Sequence, residues 1–161
     1  MTPFVEPLSD GSRFDDTRGW LHLIYESSSM VVKRSFSRKG TFRGLHVQLP
    51  PAPQTKIIRV ISGSILDFVS SINETNPPLC YRKLNRVNGW IIINSGLAHG
   101  FYALEDTVFE YICDGYYSED SELSFSILDF LEKELSIVDP ILSEKDRGAP
   151  PLQFSEVKNY D

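Results

Sequence analysis

The stretch RGLHVQLPPAPQTKIIRVISG, from Arg43 to Gly63, sets four groups capable of chemistry among apolar residues: Arg43, His46, Lys56 and Arg59. It reads as the two strands of a β-hairpin. Packed against a plain core, each of these groups would need a buried partner, because an unpaired buried charge is strongly disfavoured. A cavity removes that need, and a basic cluster beside one can hold a small anion. A regular strand through TFRGLHVQ would put Arg43, Leu45 and Val47 on one face and His46 with Gln48 on the other. Gly44 lies between them and can host a bulge that turns Arg43 and His46 toward one cavity. INSGLAHGFYAL repeats the theme, with His99 at a strand start and Phe101 and Ala103 on the same face. FEYICDGYY then supplies Tyr111, followed by Tyr116 and Tyr117.

The elements that must position these groups are short and β-rich. Strands are expected in GWLHLIYES, MVVKRSFS, TFRGLHVQL, TKIIRVIS, SILDFVSSI, YRKLNRV, GWIIIN, AHGFYAL and TVFEYICDGYY, separated by turns at RKG, PPAPQ, SGS, NETNPP, VNG, NSG and LED. Such spacing predicts an antiparallel sandwich or barrel. One helix is expected near ILDFLEKELSI, where Ile127, Phe130, Leu131 and Leu135 form an apolar stripe of helical period. The tail DPILSEKDRGAPPLQF returns to loop character, and no repeat or low-complexity segment interrupts the pattern.

Composition bounds the rest. The 161 residues suffice for one domain with a substantial core and are too few for two ordinary ones. A net charge of −6 argues against nucleic acid as a partner, since phosphate-backbone binding needs a basic face. The start MTPFVEPLSDGSRFDD is acidic and broken by prolines, unlike a signal peptide, and no apolar run reaches membrane-spanning length. Cys80 and Cys113 lack any metal or redox spacing and read as two buried thiols of a cytoplasmic protein.

RGLHVQ, a lysine ten residues after its histidine, SGLAHGF, FEY followed by YY, and LSEKD with a later proline stand in one order from DDTRGW at Asp15 to LSEKDRGAPPL. Together they resemble the dTDP-4-dehydrorhamnose 3,5-epimerase family. The resemblance implies an all-β, RmlC-like cupin jelly roll (an antiparallel double-stranded β-helix) with a short C-terminal helix, spanning residues 1–161 as a single domain. It also implies a homodimer, a site without metal or cofactor, and a nucleotide-diphosphate 4-keto sugar as substrate. An N-terminal strand exchanged between subunits would cover an open sheet edge. By the same resemblance His46 is the base, Tyr111 the acid, and Asp146 the carboxylate that orients His46. Lys56, Arg43 and His99 contact substrate, Arg18 and Lys145 contact the nucleotide sugar with Glu122 in support, and Tyr117 stacks on the base.

The implied chemistry suits those residue types. A ketone at carbon 4 acidifies the hydrogens on carbons 3 and 5, so a neutral imidazole, titrating ordinarily near ~6.5, can remove one of them. The resulting enolate needs a fixed cation in a water-poor cavity. Epimerisation then takes a proton from the opposite face. Blander readings accompany each group: His46 as a hydrogen-bonded core histidine, Tyr111 as a core aromatic, Tyr116 and Tyr117 as dimer-interface residues, Lys56 and Arg59 as a solvated face, and SEKD as an exposed turn. His22 has no role in the resemblance and reads as structural. A metal cupin draws close-set ligands such as His-x-His, whereas His22, His46 and His99 are dispersed. A ketoisomerase of this fold carries a second histidine close after the first, which RGLHVQ lacks. A sugar-nucleotide-binding cupin without catalysis is the reading from another class. The sequence departs from the family pattern at Leu23, where an acidic residue is usual and Glu26 follows slightly later, and at Lys33 and Ser35, which replace a Gln-x-Asn segment. These departures predict retained epimerase chemistry with an altered preference at the nucleotide base.

Overall fold

Apolar residues alternating with polar ones over seven or eight positions, between turns rich in Gly, Pro and Asn, form strands that bury one face. The structure, a computed structural model, describes residues 11–159. Its strands are β1 (Arg13–Asp16), β2 (Gly19–Glu26), β3 (Met30–Ser37), β4 (Phe42–Gln48), β5 (Thr55–Ser62), β6 (Ser64–Ser71) and β7 (Leu79–Asn85). They continue with β8 (Ile91–Ile93), β9 (Leu97–Ala103), β10 (Thr107–Asp114), β11 (Glu122–Ser124) and β12 (Val157–Asn159). Two helices follow the main strands, α1 (Leu128–Leu135) and α2 (Glu144–Arg147).

The strands form a jelly roll of two six-stranded sheets, ordered β1-β2-β3-β10-β5-β8 and β11-β4-β9-β6-β7-β12. Pairing is antiparallel except that β12 runs parallel to β7. Between the sheets lies an apolar cluster of Ile58, Val60, Ile65, Leu84, Ile93, Phe101 and Phe109 that closes one end of the interior. The second sheet is covered on its outer face, where Phe42, Leu45, Val47 and Phe68 pack beneath Phe130 and Leu131 of α1. Helix α1 lacks a side-chain N-cap and stops at Ser136, whose φ of 55° is left-handed. Its anchor is therefore the buried apolar stripe and not its termini.

The expected strands are present with altered limits. The run YRKLNRV starts earlier, at Leu79, and Arg86–Asn88 turn away as a 3₁₀ segment capped by the Asn85 side chain. TVFEYICDGYY ends as a strand at Asp114, so Tyr116 and Tyr117 lie in the loop beyond it. SEKD is a short helix, N-capped by Ser143, and its Asp146 is buried. Strand β1 pairs with β2 of the same chain. A strand exchanged from further toward the N-terminus falls outside the described residues.

Candidate active site

The first contributor to the site is an irregularity in one strand. On β4, Phe42, Leu45 and Val47 face the core under α1, while both Arg43 and His46 line the interior cavity. That pattern is impossible for a regular strand, and the β4–β9 register shifts between Arg43 and His46. Gly44, at φ +114°, permits it, because a Cβ there would meet Gly100 Cα at 2.6 Å and the His99 carbonyl oxygen at 2.8 Å. Glycine at both 44 and 100 lets the two backbones approach closely.

The cavity has a volume of about 540 Å³ and opens between the two sheets. His46 sits on one wall with its Nε2 2.6 Å from Asp146 Oδ1. Asp146 comes from α2, where its backbone N–H donates to the Ser143 hydroxyl, and its second carboxylate oxygen accepts from Arg18 Nη1 at 3.3 Å. Arg18 is itself steadied by Asp16 at 2.6 Å. Burial pushes the Asp146 carboxyl up, but the hydrogen bond and charge of His46, the Ser143 hydroxyl and Arg18 outweigh it and hold the group below its ordinary value. The carboxylate is thus ionised and fully engaged behind the imidazole.

Lys56, on β5, donates from Nζ to the carbonyl oxygen of His46 at 2.9 Å, so an ammonium stands beside that residue. Burial lowers its pKa, with Lys33 adding to the effect and nearby acidic groups opposing it. Tyr111 faces the same cavity from β10 in the opposite sheet. Burial raises its phenol well above the ordinary range, so it stays protonated. Arg43 is held by the Ser37 hydroxyl at 2.9 Å and the Phe36 carbonyl at 3.4 Å. His99, only 6% exposed, bonds through Nε2 to the buried Asp67 at 2.7 Å.

At the mouth, Lys145 of α2 forms an ion pair with Glu122 of β11, and the Tyr117 hydroxyl donates to the same carboxylate at 3.4 Å. Tyr117 stays there because one buried amide holds the residues on both sides of it. Gln48 Nε2 donates to the Tyr116 carbonyl at 3.1 Å, and Gln48 Oε1 accepts from the Ser118 N–H at 3.3 Å. The same amide reaches the Ala52 carbonyl at 2.7 Å.

The structure therefore gathers Arg18, Arg43, His46, Lys56, His99, Tyr111, Tyr117, Glu122 and Lys145 around one cavity, with Asp146 behind His46. Arg59 is not among them. It points to the outer face, pairs with Glu110 at 2.6 Å and lies 4.3 Å over the Trp90 ring. Among the described residues no group of three or more His, Cys, Asp or Glu side chains is arranged to hold a metal ion.

Sequence reasoning passed over Asp67 and Gln48. Asp67 did carry a signal, since a carboxylate in the middle of the apolar run SILDFVSSI must find a partner. Gln48 carried none.

A family model described as dTDP-4-dehydrorhamnose 3,5-epimerase matches residues 8–153. The chain belongs to that family. It is accordingly an isomerase, an epimerase of deoxysugar biosynthesis with the family's cupin fold. A dTDP-4-dehydrorhamnose 3,5-epimerase of Streptomyces griseus is 34% identical over 172 residues, covering 92% of this chain and 83% of that protein. The crystal structure of the Bacillus anthracis enzyme of that name, with TDP and pyrophosphate bound, superposes at a TM-score of 0.66 with 32% identity, over 89% of this chain and 91% of that one. The Legionella pneumophila epimerase in complex with dTDP-4-keto-L-rhamnose matches at a TM-score of 0.64 and 27% identity, over 88% and 85%. In this family frame, the departures Leu23, Lys33 and Ser35 all line the cavity, as does Glu26.

Proposed function

We propose that this epimerase inverts carbon 3, carbon 5 or both in a nucleotide-diphosphate 4-keto-6-deoxy sugar, with His46 as base and Tyr111 as acid. The observation that carries the reading is the His46–Asp146 pair, 2.6 Å apart, on one wall of a cavity whose other wall presents Tyr111. Asp146 accepts the Nε2 hydrogen, which leaves the lone pair on Nδ1 to take the proton next to the ketone. Lys56 supplies the charge that meets the enolate oxygen. Tyr111, protonated and on the other sheet, returns a proton from the opposite face. A base, an orienting carboxylate and an acid retained together favour catalysis over mere binding. RGLHVQ lacks the second histidine that a ketoisomerase of this fold carries close after the first, which favours epimerase over ketoisomerase.

Arg18, Arg43, His99, Lys145 and Glu122 are the substrate contacts in this reading, and Tyr117 is the stacking surface for the base. The relatives' names carry thymidine nucleotides, which makes a dTDP-linked sugar the first probe. The chain works as one domain and as a homodimer in the cytoplasm. Its thiols are both free, which suits a reducing compartment; Cys113 is buried as expected, whereas Cys80, near the sheet edge on β7, is only half-buried. The dimer face is the outer side of the first sheet, where Met30, Ile61, Trp90 and Ile92 are exposed around the Arg34–Glu110–Arg59 cluster.

The test follows deuterium from solvent into carbons 3 and 5 of a dTDP-linked 4-keto-6-deoxyhexose by NMR. The parent chain is expected to exchange and invert, His46→Ala to do neither, and Tyr111→Phe to lose inversion more than exchange. Normal turnover by Tyr111→Phe overturns the assigned acid, and exchange by His46→Ala overturns the assigned base.

A further inference from the structure

We propose that Lys33 is a diphosphate-binding residue and gives this cavity its preference for nucleoside diphosphates over monophosphates, an inference that rests on the nucleotide-sugar reading. Most cations of the wall are already engaged. Arg18 is paired with Asp16 and Asp146, and Lys145 with Glu122. Arg43 and Lys56 spend donors on the Ser37 hydroxyl and on the Phe36 and His46 carbonyls.

Lys33 differs from all of them. Its ammonium has no hydrogen bond or ion pair among the described residues: Nζ lies 5.0 Å from the Tyr117 ring centroid and 5.8 Å from that of Tyr111, and its charge also acts on Lys56 and Cys113. Its neighbours across the strands are Tyr111 on β10 and the apolar Leu23 on β2, and neither brings a carboxylate to it. No ion pair joins it to Glu26 among the described residues. Two positions along the same face, Ser35 is 1% exposed and its hydroxyl has no hydrogen-bond partner among the described residues. An ammonium without an ion pair and a buried hydroxyl without a partner, on one strip of cavity wall, offer polar groups to a ligand that displaces water.

The ligand group follows from position. Tyr111 belongs to the sugar end and Tyr117 to the base end, and an ammonium that touches both rings lies over whatever joins sugar to base. In a nucleotide sugar that link is the diphosphate. A lysine ammonium is a compact point charge that takes phosphate oxygens from many directions, so it needs no planar partner such as a base edge.

Calorimetric titration of the full-length chain with thymidine, TMP and TDP at several salt concentrations tests this. The parent chain is expected to bind TDP more tightly than TMP. Lys33→Gln should lose roughly tenfold or more of the TDP affinity while keeping that for thymidine, since a hydrogen bond to a charged group is at stake. Its TDP affinity should also depend less on salt, and Lys33→Arg should retain most of the parent's binding. If Lys33→Gln weakens thymidine as much as TDP, or changes neither, the inference fails while the epimerase reading stands. A parent chain that binds none of the three ligands, nor the diphosphates of guanosine, cytidine and uridine, overturns the nucleotide-sugar reading itself.

Discussion

Asp146 makes two demands on the chain at once, because it must be ionised in a nearly closed environment and must hold an imidazole at 2.6 Å. Asp146→Asn keeps the shape but can present its NH₂ to Nε2, which selects the wrong tautomer. Turnover should fall by ~10²–10⁴ with little change in KM, measured by steady-state kinetics. The same substitution tests stability. The folded-state pKa of Asp146 lies below the ordinary 3.8, so its ionised form stabilises the fold above the unfolded value, and that contribution is lost as pH falls through the folded one. Parent and variant should therefore differ in urea unfolding at neutral pH and converge in strong acid.

Lys56 sets the alkaline side. Its pKa is lowered by burial while that of Tyr111 is raised, so with increasing pH the cation is lost before the phenol ionises. The kcat/KM profile should fall below the ordinary lysine range, and Lys56→Arg, charged throughout, should flatten that limb. A limb unchanged in Lys56→Arg assigns it to another group. At the mouth, the apolar Leu23 cannot accept a hydrogen bond from a pyrimidine imide, and an unpaired base group costs roughly 1–3 kcal/mol. Competition among thymidine, guanosine, cytidine and uridine diphosphates is therefore expected to favour a base other than thymine. Tightest binding by TDP contradicts it.

At the level of elements, strand β4 organises both ends of the site. His46 lines the cavity, and two residues on, Gln48 pins the loop that carries Tyr117. Gln48→Leu leaves the Tyr116 carbonyl and Ser118 N–H without this partner and should destabilise the fold by about 1–3 kcal/mol. Its functional mark is distinct: KM should rise with kcat nearly unchanged, and the effect should vanish in a Tyr117→Ala background. Equal losses in both backgrounds reduce Gln48 to a structural role.

Strand β4 also shows what could be read from the letters. Gly44 between Arg43 and His46 announced a bulge, since only an irregular strand turns both side chains to one side. The long strands and the stripe of α1 were legible because their periods extend over seven or more residues. Strand β11 and helix α2, of three and four residues, are too short to carry a period. Asp146 was therefore identifiable only through family resemblance, and its local sequence reads as a solvated turn. Gln48 escaped notice because its importance lies in two backbone groups 68 and 70 positions away.

For the whole molecule, the first sheet's outer face presents exposed apolar residues among the described ones. Ile92 is 62% exposed there and Trp90 46%, around the buried Glu110 that ties Arg34 to Arg59. Sedimentation should find a dimer at working concentration, and Ile92→Glu should shift it toward monomer while a charge placed outside this face does not. A parent chain that sediments as a monomer contradicts the assignment.

The proposed base and its partner carboxylate lie 100 positions apart, one in the fourth strand and the other in a four-residue helix after the last long one. During synthesis, the strands that wall the cavity leave the ribosome well before Ser143 and Asp146 do. A chain released early carries an imidazole that nothing holds in its working tautomer, however much of the barrel has formed. Proton abstraction by the proposed base is thereby weakened, by the same ~10²–10⁴ expected of Asp146→Asn, in any chain that stops before that helix.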